Sequence, residues 1–313
     1  MLEFERELDE LRGRIVRLEA NGNVDLTPDA DRQLALLRLE LDARTADVFS
    51  KLTPWQRVQL ARHRDRPHVL DFIDRMVDGF LELHGDRLHG DDMAIVGGMG
   101  TIDGRRVVVV GHQKGRGTRQ NVERNFGMAH PEGYRKAVRM FELAERFRIP
   151  VLTLLDTPGA SPAVEDEERG QSWAISESMA VMVRLKTPIV AVVIGEGGSG
   201  GALAMGVADR VLMLEHAIYS VASPEAAASI IWRDSSFAEH AAQALGLTSD
   251  ALYEAELIDR VIVEPAGGAH RDYDGAASNL KAGVHRTGAT AAVADLFFTK
   301  KDWAKTVVWT RKV

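Results

Sequence analysis

The sequence predicts an α/β fold in which helices cover a parallel or mixed β-sheet, with a helical hairpin at the N-terminus. Apolar runs typical of buried strands alternate with amphipathic helical stretches through most of the chain. Two of these runs, in PVLTLLDTPG and PIVAVVIGEGG, share the order proline, apolar strand, glycine turn and helix. Strands that alternate with helices in this way usually lie parallel and are covered on both faces.

Composition narrows the class of protein. The chain has 313 residues, 45% of them hydrophobic, which is enough for a full core. Its apolar runs are far shorter than the roughly 20 residues of a membrane span, and the acidic start MLEFERELDE is unlike a signal peptide, so we expect a cytoplasmic protein without membrane contacts. The absence of cysteine excludes disulfides, thiol catalysis and cysteine-bound metals. A net charge of −7 argues against general nucleic-acid binding.

The first 60 residues predict two helices folded back on each other. Apolar residues recur every three or four positions in each helix, and the turn formers NGNVDLTPDAD stand between the two series. These apolar residues are Phe4, Leu8, Leu11, Ile15 and Leu18 in the first helix, and Leu34, Leu37, Leu41 and Val48 in the second. Such a pair is too small for a core of its own, so we expect residues 1–60 to be an assembly arm.

The strands and helices of the main domain follow in order. Two β-rich runs after Asp91 are joined by a turn that contains Asp103 and Gly104, which predicts a hairpin. A helix is predicted from Pro131 to Phe147, because Ala137, Met140, Phe141, Ala144 and Phe147 share one face and a proline follows at position 150.

The second half of this domain repeats the alternation. After the strand in PVLTLLDTPGASP we expect a helix at residues 170–185, and then the strand in PIVAVVIGEGGSGG. Short strands in RVLMLEHAIYSVAS precede a helix in SPEAAASIIW, for which Ser223 is the predicted N-cap and Glu225 a first-turn acid.

The turn GEGGSGG, Gly195 to Gly201, matches two known motifs. Gly195, Gly197 and Gly200 fit the GxGxxG dinucleotide fingerprint, and Glu215 lies twenty residues beyond as a ribose partner would. However, only GALAMGVAD separates the turn from the next strand, which allows a helix of about two turns, and a fingerprint helix is usually longer.

The same turn also fits the GxSxG nucleophile elbow of hydrolases. Ser199 is its serine, and His216, His240 and His270 follow as candidate bases. Five glycines in seven residues instead favour close approach of a ligand to bare backbone, with Ser199 present as a small residue. Free backbone N–H groups at such a turn form an oxyanion hole, and the turn at Gly159 and Ala160 would complete it if the two strands are neighbours. DTPG resembles the DxxG of GTPases, but no GxxxxGK[ST] loop accompanies it.

A family resemblance rests on many ordered blocks together. AIVGG, GHQKGR, RNFGM, PEGYRKA, DTPGA, EERGQ, IGEGGSGGALA, YSV, SPE and EPAGGAH resemble the carboxyltransferase alpha subunits of bacterial acetyl-CoA carboxylases, over about residues 70–271. The resemblance implies a crotonase-like fold of repeated ββα units behind an N-terminal helical hairpin. It divides the chain into an arm at 1–60, a carboxyltransferase domain at 61–285 and a divergent tail at 286–313.

The resemblance also implies the reaction and its partners. This family transfers a carboxyl group from carboxybiotin, held on a biotin carboxyl carrier protein, to acetyl-CoA, giving malonyl-CoA for fatty acid biosynthesis. Its alpha chain pairs with a homologous beta subunit, two of each, and a biotin carboxylase completes the ATP-dependent holoenzyme. The zinc of this family belongs to the beta subunit, so we expect no metal in this chain. A subunit with an assembly role or a different acyl-CoA substrate, and a serine hydrolase using Ser199, stay open as alternatives.

The site residues implied by the resemblance are backbone donors. They are Gly197, Gly198, Ser199, Gly200 and Gly201, helped by Gly159 and Ala160. His112, Lys114 and Arg116 of the HQKGR block are expected to line the cleft on the biotin side, although a basic loop in solvent would carry the same residues. Glu167, Glu168, Arg169 and Gln171 of EERGQ are expected at a helix entry or a subunit contact.

The chain departs from the family in two places. Where the family commonly reads AYPGVGAEERGQ, this sequence has Ser161, Ala163 and Glu165, so a wall of the biotin pocket or a subunit contact is altered. The C-terminal stretch, with Trp303 and Trp309, also differs and suggests changed docking to a partner.

Overall fold

The computed structural model describes residues 2–21 and 28–287. Their helices are α1 Arg6–Asn21, α2 Pro28–Ser50, α3 Pro54–Ala61, α4 Val69–Met76, α5 Gly117–Glu123, α6 Pro131–Phe147, α7 Val164–Glu168, α8 Gln171–Arg184, α9 Ser199–Leu203, α10 Pro224–Trp232, α11 Ala238–Ala244, α12 Ser249–Glu254 and α13 Tyr273–His285. Their strands are β1 Asp78–Glu82, β2 Ile95–Ile102, β3 Arg105–His112, β4 Val151–Thr157, β5 Ile189–Gly198, β6 Arg210–Leu214, β7 Ile218–Ser220 and β8 Arg260–Ile262.

These strands form one mixed sheet, as the sequence predicts. Its order is β1-β2-β3-β4-β5-β6-β8, and β7 pairs with the end of β5. The pairs β1–β2 and β2–β3 are antiparallel, whereas β3, β4, β5, β6 and β8 run parallel. The carboxyl ends of β3, β4 and β5 therefore lie side by side at one edge of the sheet.

The central strands are buried on both faces. All of β4 is buried, and β5 is buried from Ile189 to Gly197, which explains their unbroken apolar sequences. The hairpin between β2 and β3 turns through Asp103 and Gly104, both with positive φ, 47° and 75°. This is the geometry that the Asp-Gly pair predicts.

The helices mostly confirm the sequence pattern. Helix α6 starts at Pro131, buries Ala137, Met140, Phe141 and Ala144, and packs on α8. Phe147 was expected on the same face but is half exposed, because it lies in the last turn of the helix. The Ser223 hydroxyl accepts a hydrogen bond from the Ala226 N–H at 3.1 Å, so the predicted cap of α10 is present.

The N-terminal helices pack against each other through a small apolar cluster of their own. Leu11, Ile15 and Leu37 are buried in it, with Leu18, Leu34 and Leu41 around them, and Arg38 pairs with Glu19 at 2.7 Å. The connecting residues 22–27 lie outside the described part. At the base of the pair, the Phe49 ring lies 5.4 Å from that of His216.

Helix α3 belongs by its contacts to the main body. Val58 and Ala61 pack with Ile218, Ala242 and Leu247, on β7 and around α11. The division at residue 60 stays a prediction, and these contacts favour a boundary between α2 and α3. Of the expected tail, residues 288–313, with Trp303 and Trp309, lie outside the described part. Within that part, no helix has the length and apolar content needed to cross a bilayer.

Candidate functional site

The two glycine turns lie against each other at the edge of the sheet. Thr157 of β4 is in register with Gly197 of β5, and the chain turns just beyond each strand. A side chain at Gly198 would overlap the Pro158 carbonyl oxygen. A Cβ at Gly201 would lie 2.5 Å from the Ala160 nitrogen. Only glycine permits this backbone approach, and the two turns lie side by side as expected; their role as one site stays a prediction.

The outer side of this paired turn is open. Ser199 is exposed, Gly198 and Gly200 are half-buried, and Gly197 and Gly201 are buried. A Cβ at Gly200 would meet only the Ile175 side chain, at 3.9 Å. Helix α9 starts at Ser199, and N–H groups in the first turn of a helix lack intrahelical acceptors. The backbone N–H groups of Ser199 and Gly200 are thus accessible to a ligand.

Ser199 has a strained conformation but no catalytic partner. Its φ is +52°, in the left-handed region that non-glycine residues rarely adopt. A sharp strand-to-helix turn of this kind is typical of a nucleophile elbow. Each candidate base has other surroundings, however: His216 lies against Phe49, His240 against Trp232, and His270 bonds Glu5. The described residues therefore contain no Ser–His pair for a hydrolase.

A charged network lies directly behind the turn. Lys114 Nζ is 2.8 Å from Asp156 Oδ1 and 2.7 Å from Glu196 Oε2, and His68 Nδ1 is 3.3 Å from Asp156 Oδ2. Both carboxylates are buried. Burial acts to raise the pKa of Asp156, but the Lys114 charge and the hydrogen bonds from His68 and Lys114 hold it well below its ordinary value.

Burial and neighbouring charges also act in opposite directions on the pKa values of the other groups in the network. Burial acts to raise the pKa of Glu196, yet Lys114 and Arg62 lower it. Burial acts to lower the pKa of Lys114, yet Asp156 and Glu196 raise it. Arg62 bonds Glu196 and Glu225 at 2.6 Å each, which connects β5 to α10. All of these groups remain charged at neutral pH.

Of the predicted biotin-side residues, Lys114 and Arg116 have ionic partners within the chain. His112 is wholly buried at the end of β3, and burial foremost lowers its pKa to about 3. Lys114 is only 15% exposed, so the solvated-loop interpretation does not hold for it. Arg116 bonds Asp71 at 2.7 Å and lies over the Tyr273 ring. A ligand could reach Lys114 or Arg116 only by sharing these ion pairs, and their binding role stays a prediction.

Asp156, Glu196, Arg62 and His68 were missed as site residues. Asp156 is the first residue of DTPG, and Glu196 is the acid within GEGG, so both looked like turn residues. Two carboxylates at the ends of neighbouring parallel strands, with a lysine after the next strand, are a signal that the sequence does contain.

The EERGQ block has a structural place. Arg169 bonds Glu132 at 2.6 Å and Asp166 at 2.5 Å. Gln171 begins α8 and donates to the carbonyls of Ala129 and Ser161. These contacts fit the expected helix entry and fasten the loop that follows the DTPGA turn.

One cluster in the described residues has metal-ligand chemistry. Ligand atoms of Glu5, His63 and His270 lie within 4.8 Å of one another. Arg271 already neutralises Glu5, with its Nη2 2.9 Å from Oε1, and His270 bonds the same oxygen at 3.0 Å. The cluster fastens the N-terminal turn to the EPAGGAH loop, outside the paired glycine turns.

Comparison with known proteins decides the family. A family model described as acetyl co-enzyme A carboxylase carboxyltransferase-like matches residues 1–296. The chain belongs to this family. It is 54% identical over 279 residues to the acetyl-coenzyme A carboxylase carboxyl transferase subunit alpha of Thioalkalivibrio sulfidiphilus, covering 89% of this chain and 87% of that protein. The Thermus thermophilus protein of the same name is 52% identical over 280 residues, covering 90% and 88%. The predicted assignment to the carboxyltransferase alpha subunits is confirmed.

Solved structures confirm the crotonase-like fold of this family. A transcarboxylase 12S chain matches with a TM-score of 0.56 at 24% identity, over 70% of this chain and 42% of that one. The geranyl-CoA carboxylase beta subunit of P. aeruginosa matches with a TM-score of 0.58 at 17% identity, over 80% of this chain and 47% of that one. The present chain thus spans less than half of either. A chain of a Pseudomonas malonate decarboxylase hetero-dimer matches with a TM-score of 0.53 at 19% identity, over 79% of this chain and 94% of that one.

Proposed function

We propose that this carboxyltransferase acts on acetyl-CoA and takes the carboxyl group from carboxybiotin on a carrier protein, giving malonyl-CoA. The observation that carries the proposal is the pair of backbone turns, packed too closely for side chains and open on the outer side at Ser199 and Gly200. The names of the relatives support the substrate, because they are acetyl-coenzyme A carboxylase subunits.

The reaction needs donors for negative oxygen atoms. Removing a carboxyl group from biotin, and a proton from the acetyl methyl group, each places negative charge on a carbonyl oxygen. We assign the donors to the backbone N–H groups of Gly197 to Gly201, helped by Gly159 and Ala160. One preorganised donor of this kind contributes about 3 kcal/mol of transition-state stabilisation, which is a factor of 10² to 10³ in kcat.

The residues of the turn fit biotin. A Cβ at Gly159 would contact nothing within 4 Å, and one at Gly200 would contact only Ile175, so the outer side offers bare backbone to a flat urea ring. When bound, biotin supplies the carboxyl group to be transferred. This chain orients the urea oxygen with its N–H groups, and the paired turns exclude water from their inner side. Lys114 and Arg116 are proposed to shape the biotin side through their ion pairs, and His112 through its buried ring.

The subunit name that the relatives carry supports an enzyme of several chains. We assign a beta subunit, two copies with two of this chain, and place the zinc of the complex in that subunit. A biotin carboxyl carrier protein and a biotin carboxylase complete the enzyme, in the cytoplasm. The solved neighbour from Pseudomonas is itself a hetero-dimer, which supports assembly of this fold from unlike chains.

Co-expression with the beta subunit of the same source tests the proposal. We expect the purified complex to form malonyl-CoA from acetyl-CoA and carboxylated biotin, and to run the reverse reaction. A complex that assembles but forms no product in either direction would leave this chain an assembly role. Product from propionyl-CoA or a longer acyl-CoA, but not from acetyl-CoA, would overturn the substrate assignment.

A further inference from the structure

Three charged side chains meet behind the catalytic turn, each from a different neighbouring strand. Asp156 is near the end of β4, Glu196 is near the end of β5, and Lys114 follows β3. Their side chains are 3%, 9% and 15% exposed, in the order given. They therefore lie on the inner side of the turn, away from the open face at Ser199 and Gly200.

Asp156 holds the backbone of the turn directly. Its Oδ1 accepts a hydrogen bond from the Glu196 N–H at 2.9 Å. The same carboxylate occupies the place that a side chain at Gly195 would take. The peptide between residues 195 and 196 is therefore fixed on both sides, immediately before the donor residues Gly197 and Gly198.

Lys114 makes this arrangement electrostatically stable. Its Nζ bonds both Asp156 and Glu196, at 2.8 and 2.7 Å. Without that ammonium, Glu196 would keep Arg62 as its partner, whereas the buried Asp156 would keep only the bond to His68 and would take up a proton or move away from Glu196. Its aliphatic part packs against Gly127, where a Cβ would lie 2.8 Å from Lys114 Cγ, so the side chain has a fixed path.

The remaining charged and titratable groups around the network are Arg62 at the C-cap of α3, Glu225 on α10, and His68 and His112. Arg62 bonds Glu196 and Glu225, while His68 bonds Asp156. Buried ion pairs stabilise a fold little compared with apolar side chains of the same size. These ion pairs instead hold the neighbouring backbone in a fixed geometry, which explains their presence here.

We propose that Lys114, Asp156 and Glu196 are positioning residues, which hold the Gly197–Gly201 turn in the geometry that its N–H donors need. This inference rests on the proposed function, in which those donors bind negative oxygen atoms. A displacement of about 1 Å in such a site costs on the order of 100-fold in rate. Since these residues lie behind the turn, their loss should lower kcat and leave KM for acetyl-CoA unchanged.

Lys114→Met in the complex with the beta subunit is the test. At pH 8 we expect kcat to fall about 100-fold. Lowering the pH to 6 protonates the carboxylate whose pKa is raised by the loss of Lys114. The kcat of the variant relative to wild type should therefore recover at least about tenfold, the effect of titrating one group over one or more pH units. The wild type titrates neither carboxylate in this range, because Lys114 keeps the pKa of both below their ordinary values. Lys114→Arg should restore most of the rate.

Lys281→Met is the matched control, since Lys281 pairs with Asp103 at the β2–β3 turn, outside the network. It should leave kcat and its pH profile unchanged. A Lys114→Met profile parallel to that of the wild type, or a raised KM with kcat retained, would overturn the inference. If the Lys114→Met variant does not assemble, Asp156→Asn is used instead. We expect this variant to have a lower kcat and an unchanged KM, and a normal kcat would contradict the inference. Wild-type activity in the same assay tests the proposed function separately.

Discussion

Adjacent glycines of the turn differ in what a side chain would meet. A Cβ at Gly201 would lie 2.5 Å from backbone atoms of Gly159 and Ala160, whereas one at Gly200 has ordinary contact with Ile175 at 3.9 Å. We predict that Gly201→Ala lowers the free energy of unfolding by about 1 to 3 kcal/mol, because backbone must move. Gly200→Ala should stay within about 0.5 kcal/mol of wild type. Urea unfolding of both variants checks this, and equal midpoints would contradict it.

Ser199 distinguishes backbone from side-chain catalysis. Its hydroxyl makes no hydrogen bond to a histidine among the described residues, and the residue is exposed. We predict that Ser199→Ala keeps the carboxyltransferase rate of the complex within about threefold, well short of the 10² or more lost with an oxyanion donor. Loss of nearly all activity on this change, with assembly intact, would favour a nucleophilic serine.

At the residue scale, the sequence predicted that the two glycine turns lie together and named Lys114, but it did not identify Asp156 and Glu196 as the partners of that lysine. Glycine density is a local signal, since a turn without side chains is recognisable by itself. Asp156, Glu196 and Lys114 are 40 or more residues apart, and only the parallel pairing of β3, β4 and β5 brings them together. Such a network depends on strand order, which local patterns do not contain.

Elements with strong local signals formed where the sequence placed them. The Asp103-Gly104 turn and the Ser223 cap depend on a few neighbouring residues, so no distant contact could override them. Periodicity was less reliable at a helix end, as the exposed ring of Phe147 shows. The contacts of α3 with the main body were also outside the reach of periodicity, because they involve β7 and α11.

A buried ion pair joins two distant connections of the main domain. Arg66, between α3 and α4, bonds Glu264 after β8 with an Nη2–Oε1 distance of 2.6 Å, and also donates to the Ile194 carbonyl. Burial acts to raise the pKa of Glu264, but Arg66 and His216 lower it to about 2. The folded-state pKa is below the ordinary 4.5, so this stabilisation is complete above pH 4.5 and is lost as the pH falls toward 2.

We therefore predict a steep fall in thermal stability of the wild type between pH 4.5 and pH 2. The double variant Arg66→Met/Glu264→Leu should show a shallower fall in that window, because it lacks the Glu264 carboxylate, whose protonation contributes to the fall in the wild type. Glu264→Gln alone should lose about 3 to 5 kcal/mol at neutral pH, since it leaves a buried guanidinium without its partner. Calorimetry at a series of pH values checks this, and parallel curves for wild type and double variant would contradict it.

At the scale of the whole molecule, the sequence predicts the family more clearly than it predicts the assembly. Many ordered motif blocks predicted a carboxyltransferase alpha subunit, and the relatives confirm it. The partner surface cannot be derived from those blocks, because they do not identify the side chains that face another chain. A change of that surface or of the pocket wall at Ser161, Ala163 and Glu165 stays a prediction; the Ser161 backbone carbonyl accepts a hydrogen bond from Gln171.

We predict that this chain alone is inactive and that activity depends on the beta subunit. The proposed donors of its own turn serve one side of the reaction, and the partner is expected to supply the acetyl-CoA side. Titrating the purified chain with beta subunit should raise the rate until the two are equimolar. Full activity of the chain without any partner would contradict the subunit assignment.

The rate of malonyl-CoA formation by the Gly200→Val complex tests the central claim most directly. Position 200 has room for a Cβ within this chain, so assembly and thermal stability should resemble those of the wild type. The added methyl groups extend over the open face, where they would obstruct the backbone donors. We predict a rate at least about 100-fold below wild type, the loss expected for one oxyanion donor. An unchanged rate in an intact complex would contradict the assignment of the donors to this turn.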